Sequence, residues 1–229
     1  MPDAERTFRK NGNLMHLKGA IFDLDGTLLD SMRVWDTLGA DYLRSRGIEP
    51  RENLKEKFKE LSLYEAACYF KNDYGVNDSP EEIMAAMNGM IETFYADEVL
   101  PKAGVPEFLK TLQSKNVKMC IATATDEYLV KSALIRNGLL DYFEKIFTCA
   151  SVGSGKDHPD IYESALSCLK TDKKETIVFE DALFAVKTAK RAGFIVCGIF
   201  DSSESRQDEI RKRSDYYLQD FSHVEEILK

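Results

Sequence analysis

The residues with the clearest potential for chemistry are Asp23 and Asp25, in the segment FDLDGTLLD at 22–30. The segment follows a short apolar run, so both carboxylates are expected where a buried strand ends, the position at which open parallel sheets bind ligands. Two carboxylates so close repel each other and raise each other's proton affinity unless a cation intervenes. A divalent metal would satisfy both, and oxygen ligands of this kind favour magnesium.

The residues that follow fit a ligand-binding turn. Gly26 permits a sharp turn, and Thr27 can cap that turn or bind phosphate from the loop. A plain polar turn is the alternative, because Asp and Gly are common turn residues. Four polar residues near other strand ends weigh against it, although each alone has an ordinary explanation as a helix cap, a surface lysine or an acidic helix start. They are Thr123, Lys156, Glu180 and Asp181.

The elements that must position these residues are strands alternating with helices. The predicted strands are nearly continuous apolar runs, which is typical of strands covered on both faces. They span 19–24, 117–123, 145–150, 176–180 and 194–200. Helical patterns at 104–115, 126–138, 159–170 and 182–192 separate them. This alternation predicts an α/β fold, a parallel sheet with helices on both faces.

One interval, between about 31 and 98, breaks the alternation and is predicted to be helical throughout. Ser62 with Glu65, and Ser79-Pro80 with Glu82, both fit a capping box. After the second box, apolar residues recur at three- and four-residue spacing and would line one helix face. We therefore expect a helical insert at 31–99, a core domain formed by 17–30 and 100–229, and a loosely ordered leader at 1–16.

Composition and charge limit the partners. The chain has 229 residues, 44% of them hydrophobic and 31% charged, as in ordinary globular proteins. Its net charge of -8 disfavours binding to nucleic acid or anionic membranes. No stretch approaches the length of a membrane span. The five cysteines are odd in number and widely spaced, which indicates reduced, buried thiols in a cytoplasmic protein.

In their order along the chain, the DLDGT segment, Thr123, Lys156 and the pair Glu180-Asp181 resemble the four motifs of the haloacid dehalogenase superfamily. The closest resemblance is to the subfamily with a helical cap between the first two motifs. That subfamily includes phosphoglycolate phosphatase-like, sugar-phosphate phosphatase and β-phosphoglucomutase-like enzymes. The resemblance covers nearly the whole chain from about residue 18 and implies a Rossmann-like core. It also implies Mg²⁺ as cofactor, a small phosphorylated metabolite as substrate, and a monomer or weak homo-oligomer.

The resemblance implies a role for each motif residue. Asp23 would be the nucleophile that forms an aspartyl phosphate, and Asp25 the general acid and base. Phosphate would be bound by Thr27, Thr123, Ala124 and Lys156, with Thr123 and Lys156 also counted as catalytic. The metal would be held by Asp23, the backbone carbonyl of Asp25, Glu180 and Asp181. The third motif departs from the common Gly-Lys-Pro, because two residues separate Lys156 from Pro159.

Three functions remain open after this comparison. A phosphatase is preferred, because the segment FKELSLYEAA at 58–67 lacks the arginine that β-phosphoglucomutase-like enzymes carry in a cap loop. A sugar phosphomutase is the first alternative, and a non-catalytic protein that binds phosphorylated metabolites is the second. Substrate choice is expected to depend on the helical insert, in which Trp35, Lys59 and Tyr64 are candidate contacts, although such residues are more often core or surface residues.

Overall fold

Short apolar, β-branched segments form a parallel sheet of six strands. The structure is a computed structural model that describes residues 17–54, 57, 63–222 and 224. The predictions for the leader at 1–16, for Ser62 and for Lys59 lie outside these residues. The strands are β1 Gly19–Phe22, β2 Lys118–Thr123, β3 Lys145–Thr148, β4 Thr176–Glu180, β5 Ile195–Ile199 and β6 Tyr216–Leu218. Their order in the sheet is β3-β2-β1-β4-β5-β6, and every pairing is parallel.

Helices cover the sheet, and most begin where a strand and its loop end. In the described part of the chain after residue 100 they are α4 Val105–Ser114, α5 Glu127–Arg136, α6 Cys149–Val152, α7 Asp160–Leu169, α8 Leu183–Arg191 and α9 Gln207–Arg213. Short 3₁₀ turns occur at Leu140–Tyr142 and Lys173–Glu175. The alternation of strand and helix predicted from the sequence is confirmed.

Both faces of the sheet are buried, which explains why the strands are continuously apolar. On one face, Ile21 and Val178 belong to a core that includes apolar residues of α7, α8 and α9. On the other face the core is aromatic: the ring of Phe22 stacks on that of Phe179 at 4.5 Å, and Phe108 of α4 meets Phe179 edge-on at 5.6 Å. Successive residues of β1 and β4 thus supply opposite cores, as strand geometry requires.

The structure differs from the sequence prediction in four respects. The third strand ends at Thr148 instead of residue 150, because the Thr148 side chain accepts a hydrogen bond from the Ser151 amide and caps α6. Strand β6 was not predicted, since it has only three residues, and the polar helix α9 was also missed. Among the cysteines, Cys120 and Cys197 are buried as expected, but the other three are half-buried.

Residues Ser31–Val99 form a compact unit separate from the rest of the chain. It contains α1 Met32–Ser45, α2 Leu63–Tyr74, α3 Pro80–Thr93 and a π-helical turn at Phe94–Glu98, and no strand lies in its described part. The capping box at Ser79 is present: its hydroxyl accepts from the Glu82 amide, and the Glu82 carboxylate accepts from the Ser79 amide at 2.8 Å. Helical structure was therefore predicted correctly here.

The chain leaves and re-enters the sheet unit through two adjacent segments. The Asp30 amide donates to the Leu100 carbonyl, and the Lys102 amide donates to the Leu28 carbonyl, both at 2.9 Å. Leu29 and Pro101 form an antiparallel bridge between them. Both ends of the insert are thereby fixed within the sheet unit.

None of the helices in the described ranges is long and apolar enough to cross a membrane.

Gly104 allows a close approach between the re-entry segment and the C-terminal part of the sheet unit. Its φ is +81°, and a Cβ there would lie 2.2 Å from the carbonyl carbon of Phe221. Gly138 has a similar φ of +66°, but nothing lies within 4 Å of a Cβ built on it. Comparing the same substitution at Gly104 and at Gly138 therefore separates the cost of backbone strain from the cost of a steric clash.

We expect Gly104→Ala to lower the free energy of unfolding by about 2–4 kcal/mol, the sum of left-handed strain and overpacking. Gly138→Ala should cost only the strain, about 1–2 kcal/mol. Urea unfolding of both variants and the unmodified protein, followed by circular dichroism, measures the difference. An equal loss of unfolding free energy in the two variants would show that the backbone at Phe221 can shift to accommodate the new methyl group without a loss of stability.

Candidate active site

The polar residues singled out in the sequence meet at the carboxyl ends of the two central strands and β2. Asp23 follows β1, and its amide donates to the Phe179 carbonyl at 3.0 Å. Glu180 is the last residue of β4, and Asp181 comes next. The chain proceeds from β1 outward to β2 and β3, then returns to place β4 on the other side of β1. This reversal of strand order opens a crevice in which α/β sheets bind ligands.

Lys156 brings positive charge to this edge. It lies in the loop between α6 and α7, and its side chain is only 5% exposed. Its ammonium donates to Asp23 Oδ1 and, at 2.6 Å, to Glu180 Oε1. A buried ammonium is stable only when paired in this way. The lysine therefore joins the ends of β1 and β4.

Asp23, Glu180 and Asp181 form a buried carboxylate cluster, with one oxygen from each lying within 4.8 Å of the others. Three carboxylates and one ammonium leave two negative charges uncompensated, and a divalent cation would balance them. Glu180 Oε2 is buried and has no hydrogen-bond partner among the described residues. An all-oxygen donor set with a free buried oxygen fits a hard cation such as Mg²⁺. The residues thus fit the metal that the sequence predicts.

The proton affinities of the cluster reflect this imbalance. Burial raises the pKa of Glu180 to about 7, against the opposing effect of Lys156. Burial, together with the charges of Asp23 and Glu180, raises the pKa of Asp181 well above its usual range. Burial would lower the pKa of Lys156, but the Asp23 and Glu180 carboxylates raise it above its ordinary value. The lysine remains charged, whereas Glu180 and Asp181 need a cation to become fully ionised near neutral pH.

Asp25 is not one of the three residues of the carboxylate cluster. Its side chain is half-buried, and its Oδ2 accepts a hydrogen bond of 2.6 Å from the hydroxyl of Thr125. The hydroxyl oxygen of Thr123 accepts from the Thr125 amide at 3.1 Å, while the Thr123 side chain is almost wholly buried. A short segment after β2 therefore orients both Asp25 and Thr123. The predicted metal contact of Asp25 is through its backbone carbonyl and stays a prediction.

Two predicted phosphate ligands have different surroundings. Thr27 is fully buried, and its hydroxyl donates to Asp181 Oδ1 at 3.2 Å. Its observed contact is therefore with the carboxylate cluster, and its role toward phosphate stays a prediction. Ala124 is exposed immediately after β2, which leaves its backbone amide as the only donor it could offer a ligand.

Two residues that contact the site were missed in the sequence. Thr125 bonds Asp25, and the buried Tyr162 of α7 donates its hydroxyl to Glu180 Oε1 at 2.8 Å. Tyr162 occupies an apolar position of an amphipathic helix, so its sequence pattern indicates only a core residue. Thr125 is 100 residues from its partner. No local pattern reveals either contact.

The candidate specificity residues Trp35 and Tyr64 both lie in the Ser31–Val99 unit. Trp35 is half-buried on α1, and Tyr64 is 53% exposed on α2. Neither is part of the cluster described above, and their contact with substrate stays a prediction.

Comparison with known proteins shows similarity to hydrolases. The profile of the haloacid dehalogenase-like hydrolases matches residues 20–199, which include every residue placed in the site. Validoxylamine A 7'-phosphate phosphatase of Streptomyces hygroscopicus subsp. limoneus is 28% identical over 211 residues, or 90% of this chain and 95% of that protein. (DL)-Glycerol-3-phosphatase 2 of Arabidopsis thaliana is 30% identical over 200 residues, or 83% of this chain and 81% of that protein.

A crystal structure from Thermotoga maritima, of a protein named as a candidate beta-phosphoglucomutase, has the same fold. It superposes with a TM-score of 0.80 at 25% identity and covers 93% of this chain and 97% of that one. The family profile alone spans well over half of the sequence. The chain therefore belongs to the haloacid dehalogenase-like hydrolase family.

Proposed function

We propose that this protein is a magnesium-dependent phosphatase that hydrolyses a small phosphorylated metabolite through an aspartyl phosphate on Asp23. The observation that carries the proposal is the arrangement around Asp23, where a buried carboxylate lies beside a buried lysine and within 4.8 Å of two further carboxylates. A nucleophilic carboxylate needs a positive environment, since it must approach a phosphate that is itself negative. Lys156 supplies part of that charge.

The residues of the chain divide the reaction into two steps. Asp23 Oδ attacks phosphorus and the leaving oxygen departs, while Asp25, held by Thr125, gives that oxygen its proton. Asp25 then takes a proton from water, and the water attacks the phosphoryl group on Asp23 to release inorganic phosphate. Thr123, Ala124 and Lys156 hold the phosphate oxygens, with Thr27 orienting Asp181.

Asp23, Glu180 and Asp181 would hold the magnesium ion, with the backbone carbonyl of Asp25. When bound, the ion supplies charge that offsets the carboxylates and aligns the phosphate with Asp23. The Ser31–Val99 unit would serve as a cap that admits substrate and excludes bulk water.

The substrate class follows the relatives. Two of them are named as phosphatases of small phosphorylated molecules, a validoxylamine phosphate and glycerol phosphate. The solved relative from Thermotoga maritima, named as a candidate beta-phosphoglucomutase, supports a second candidate function, a sugar phosphomutase. Of the segment at 58–67 in which such a mutase would carry its cap arginine, residues 58–62 lie outside the described part of the chain.

Replacing the nucleophile should abolish turnover. We expect Asp23→Asn to lower kcat for p-nitrophenyl phosphate by at least about a thousandfold, because the amide is a poor nucleophile and the aspartyl phosphate cannot form. The matched control is Asp215→Asn, which removes a carboxylate paired with Lys190 and bonded to the Val196 amide near the start of β5. Full activity in Asp23→Asn would overturn the proposal. On sugar phosphates, release of inorganic phosphate indicates a phosphatase, whereas an isomeric sugar phosphate indicates the mutase.

Magnesium should stabilise the protein more at high pH than at low pH. Between pH 4.5 and about 7 the folded metal-free protein keeps a proton on Glu180 that the unfolded chain releases, so stability falls as pH rises through this window. Metal binding requires the ionised carboxylates. We therefore expect millimolar Mg²⁺ to raise the melting temperature more at about pH 8 than at about pH 5. Sodium chloride of equal ionic strength is the control, and equal shifts at both pH values would contradict a metal at these carboxylates.

The hydroxyl of Thr125 should matter for proton transfer. Thr125→Val keeps the side-chain shape but removes the hydrogen bond to Asp25, and we expect kcat to fall about tenfold with little change in KM. Thr111→Val is the control, since it removes a hydroxyl that donates to the Glu107 carbonyl on α4. Steady-state kinetics over a range of pH measures both, and an unchanged pH profile in Thr125→Val would exclude this role.

A further inference from the structure

Tyr162 contacts a candidate metal ligand from the helix side of the site. Its ring is fully buried in the core, 6.1 Å from the ring of Phe194, and its hydroxyl donates to Glu180 Oε1 at 2.8 Å. The ammonium of Lys156 donates to the same oxygen at 2.6 Å. The two donors therefore converge on one oxygen of Glu180.

The other oxygen of Glu180 has the opposite environment. Glu180 Oε2 is buried and has no hydrogen-bond partner in the described part of the chain. An unpaired buried carboxylate oxygen is costly unless it has a further partner. A cation is the expected partner of Oε2, because the carboxylates of Asp23 and Asp181 lie in the same cluster and make it negatively charged.

We propose that Tyr162 is a positioning residue that, with Lys156, occupies Glu180 Oε1 so that Oε2 alone faces the metal. The inference rests on the proposed function, since it requires a metal at the carboxylate cluster. Tyr162 acts through Glu180 and touches neither the substrate nor the reacting atoms.

Lys156 alone would not fix Glu180 in this orientation. The ammonium is a compact charge on a flexible stem, and it is shared with Asp23. The Tyr162 hydroxyl extends from a ring held rigidly by core packing, so its position is defined by two torsions. The tyrosine therefore supplies the directional constraint, and the lysine supplies the charge.

A single oxygen from Glu180 has a consequence for the choice of metal. Mg²⁺ requires near-octahedral coordination, whereas Ca²⁺ takes six to eight oxygens and accepts carboxylates through both oxygens. Holding Oε1 away from the ion keeps the coordination number low. Tyr162 should therefore favour Mg²⁺ over Ca²⁺.

The test compares Tyr162→Phe with Tyr217→Phe in the full chain. Phenylalanine fills the same volume in each case, and Tyr217 also loses one hydroxyl hydrogen bond, to Gln207 Oε1 at 2.8 Å on α9. Isothermal titration calorimetry with Mg²⁺ alone and with Ca²⁺ alone gives the two dissociation constants for each protein. Circular dichroism without metal checks that each variant is folded.

We expect Tyr162→Phe to weaken Mg²⁺ binding about tenfold, as for other residues that orient metal ligands. Ca²⁺ binding should weaken less, so the ratio of the Ca²⁺ and Mg²⁺ dissociation constants should fall. Tyr217→Phe should change neither constant. A residue that only fills the core would leave the ratio unchanged.

Each other outcome is decisive. If the unmodified protein binds Mg²⁺ and Tyr162→Phe has the same affinity and selectivity, the inference is wrong and the proposed function stands. The same conclusion follows if the binding of Mg²⁺ and that of Ca²⁺ weaken by the same factor. If the unmodified protein neither binds Mg²⁺ nor hydrolyses phosphate esters with it, the proposed function fails, and the inference fails with it.

Discussion

The pairing of Lys156 with Asp23 and Glu180 is the interaction on which the site depends. Three carboxylates are buried where β1 and β4 end, and ionised groups of one sign cannot be buried together without compensation. The lysine provides one positive charge and spans both strands. The remaining negative charge makes the site incomplete by itself, which is the physical basis for assigning it a cation.

The sheet provides the geometry that makes such a cluster possible. β1 lies between β2 and β4, so its carboxyl end adjoins those of two neighbours that are distant in sequence. Burial on both faces of the sheet holds the strands in register, and the aromatic layer around Phe22 and Phe179 fixes their relative positions just before Asp23 and Glu180. The side chains at the strand ends therefore rest on a rigid support.

Much of this architecture could be predicted from the sequence because continuous apolar runs mark buried strands and Gly or Pro marks their ends. The end of β3 was misplaced, because Cys149 and Ala150 are apolar while the cap at Thr148 ends the strand. Site residues that belong to a local sequence motif, such as Asp23, Lys156 and Glu180, were identified from the sequence. Thr125 and Tyr162 were missed. Thr125 contacts Asp25, 100 residues away, and Tyr162 contacts Glu180, 18 residues away, and a hydrophobic pattern predicts neither contact.

The way in which the Ser31–Val99 unit joins the chain also bears on how such a protein can diversify. Its two connecting segments are hydrogen bonded to each other within the sheet unit, through Leu28, Asp30, Leu100 and Lys102. This junction holds together the two segments that connect the insert to the sheet unit. The entropic cost of closing the inserted segment grows only slowly with its length. Changes of sequence or length in this unit can therefore accumulate beyond that junction while the carboxylate cluster at the ends of β1 and β4 keeps its geometry.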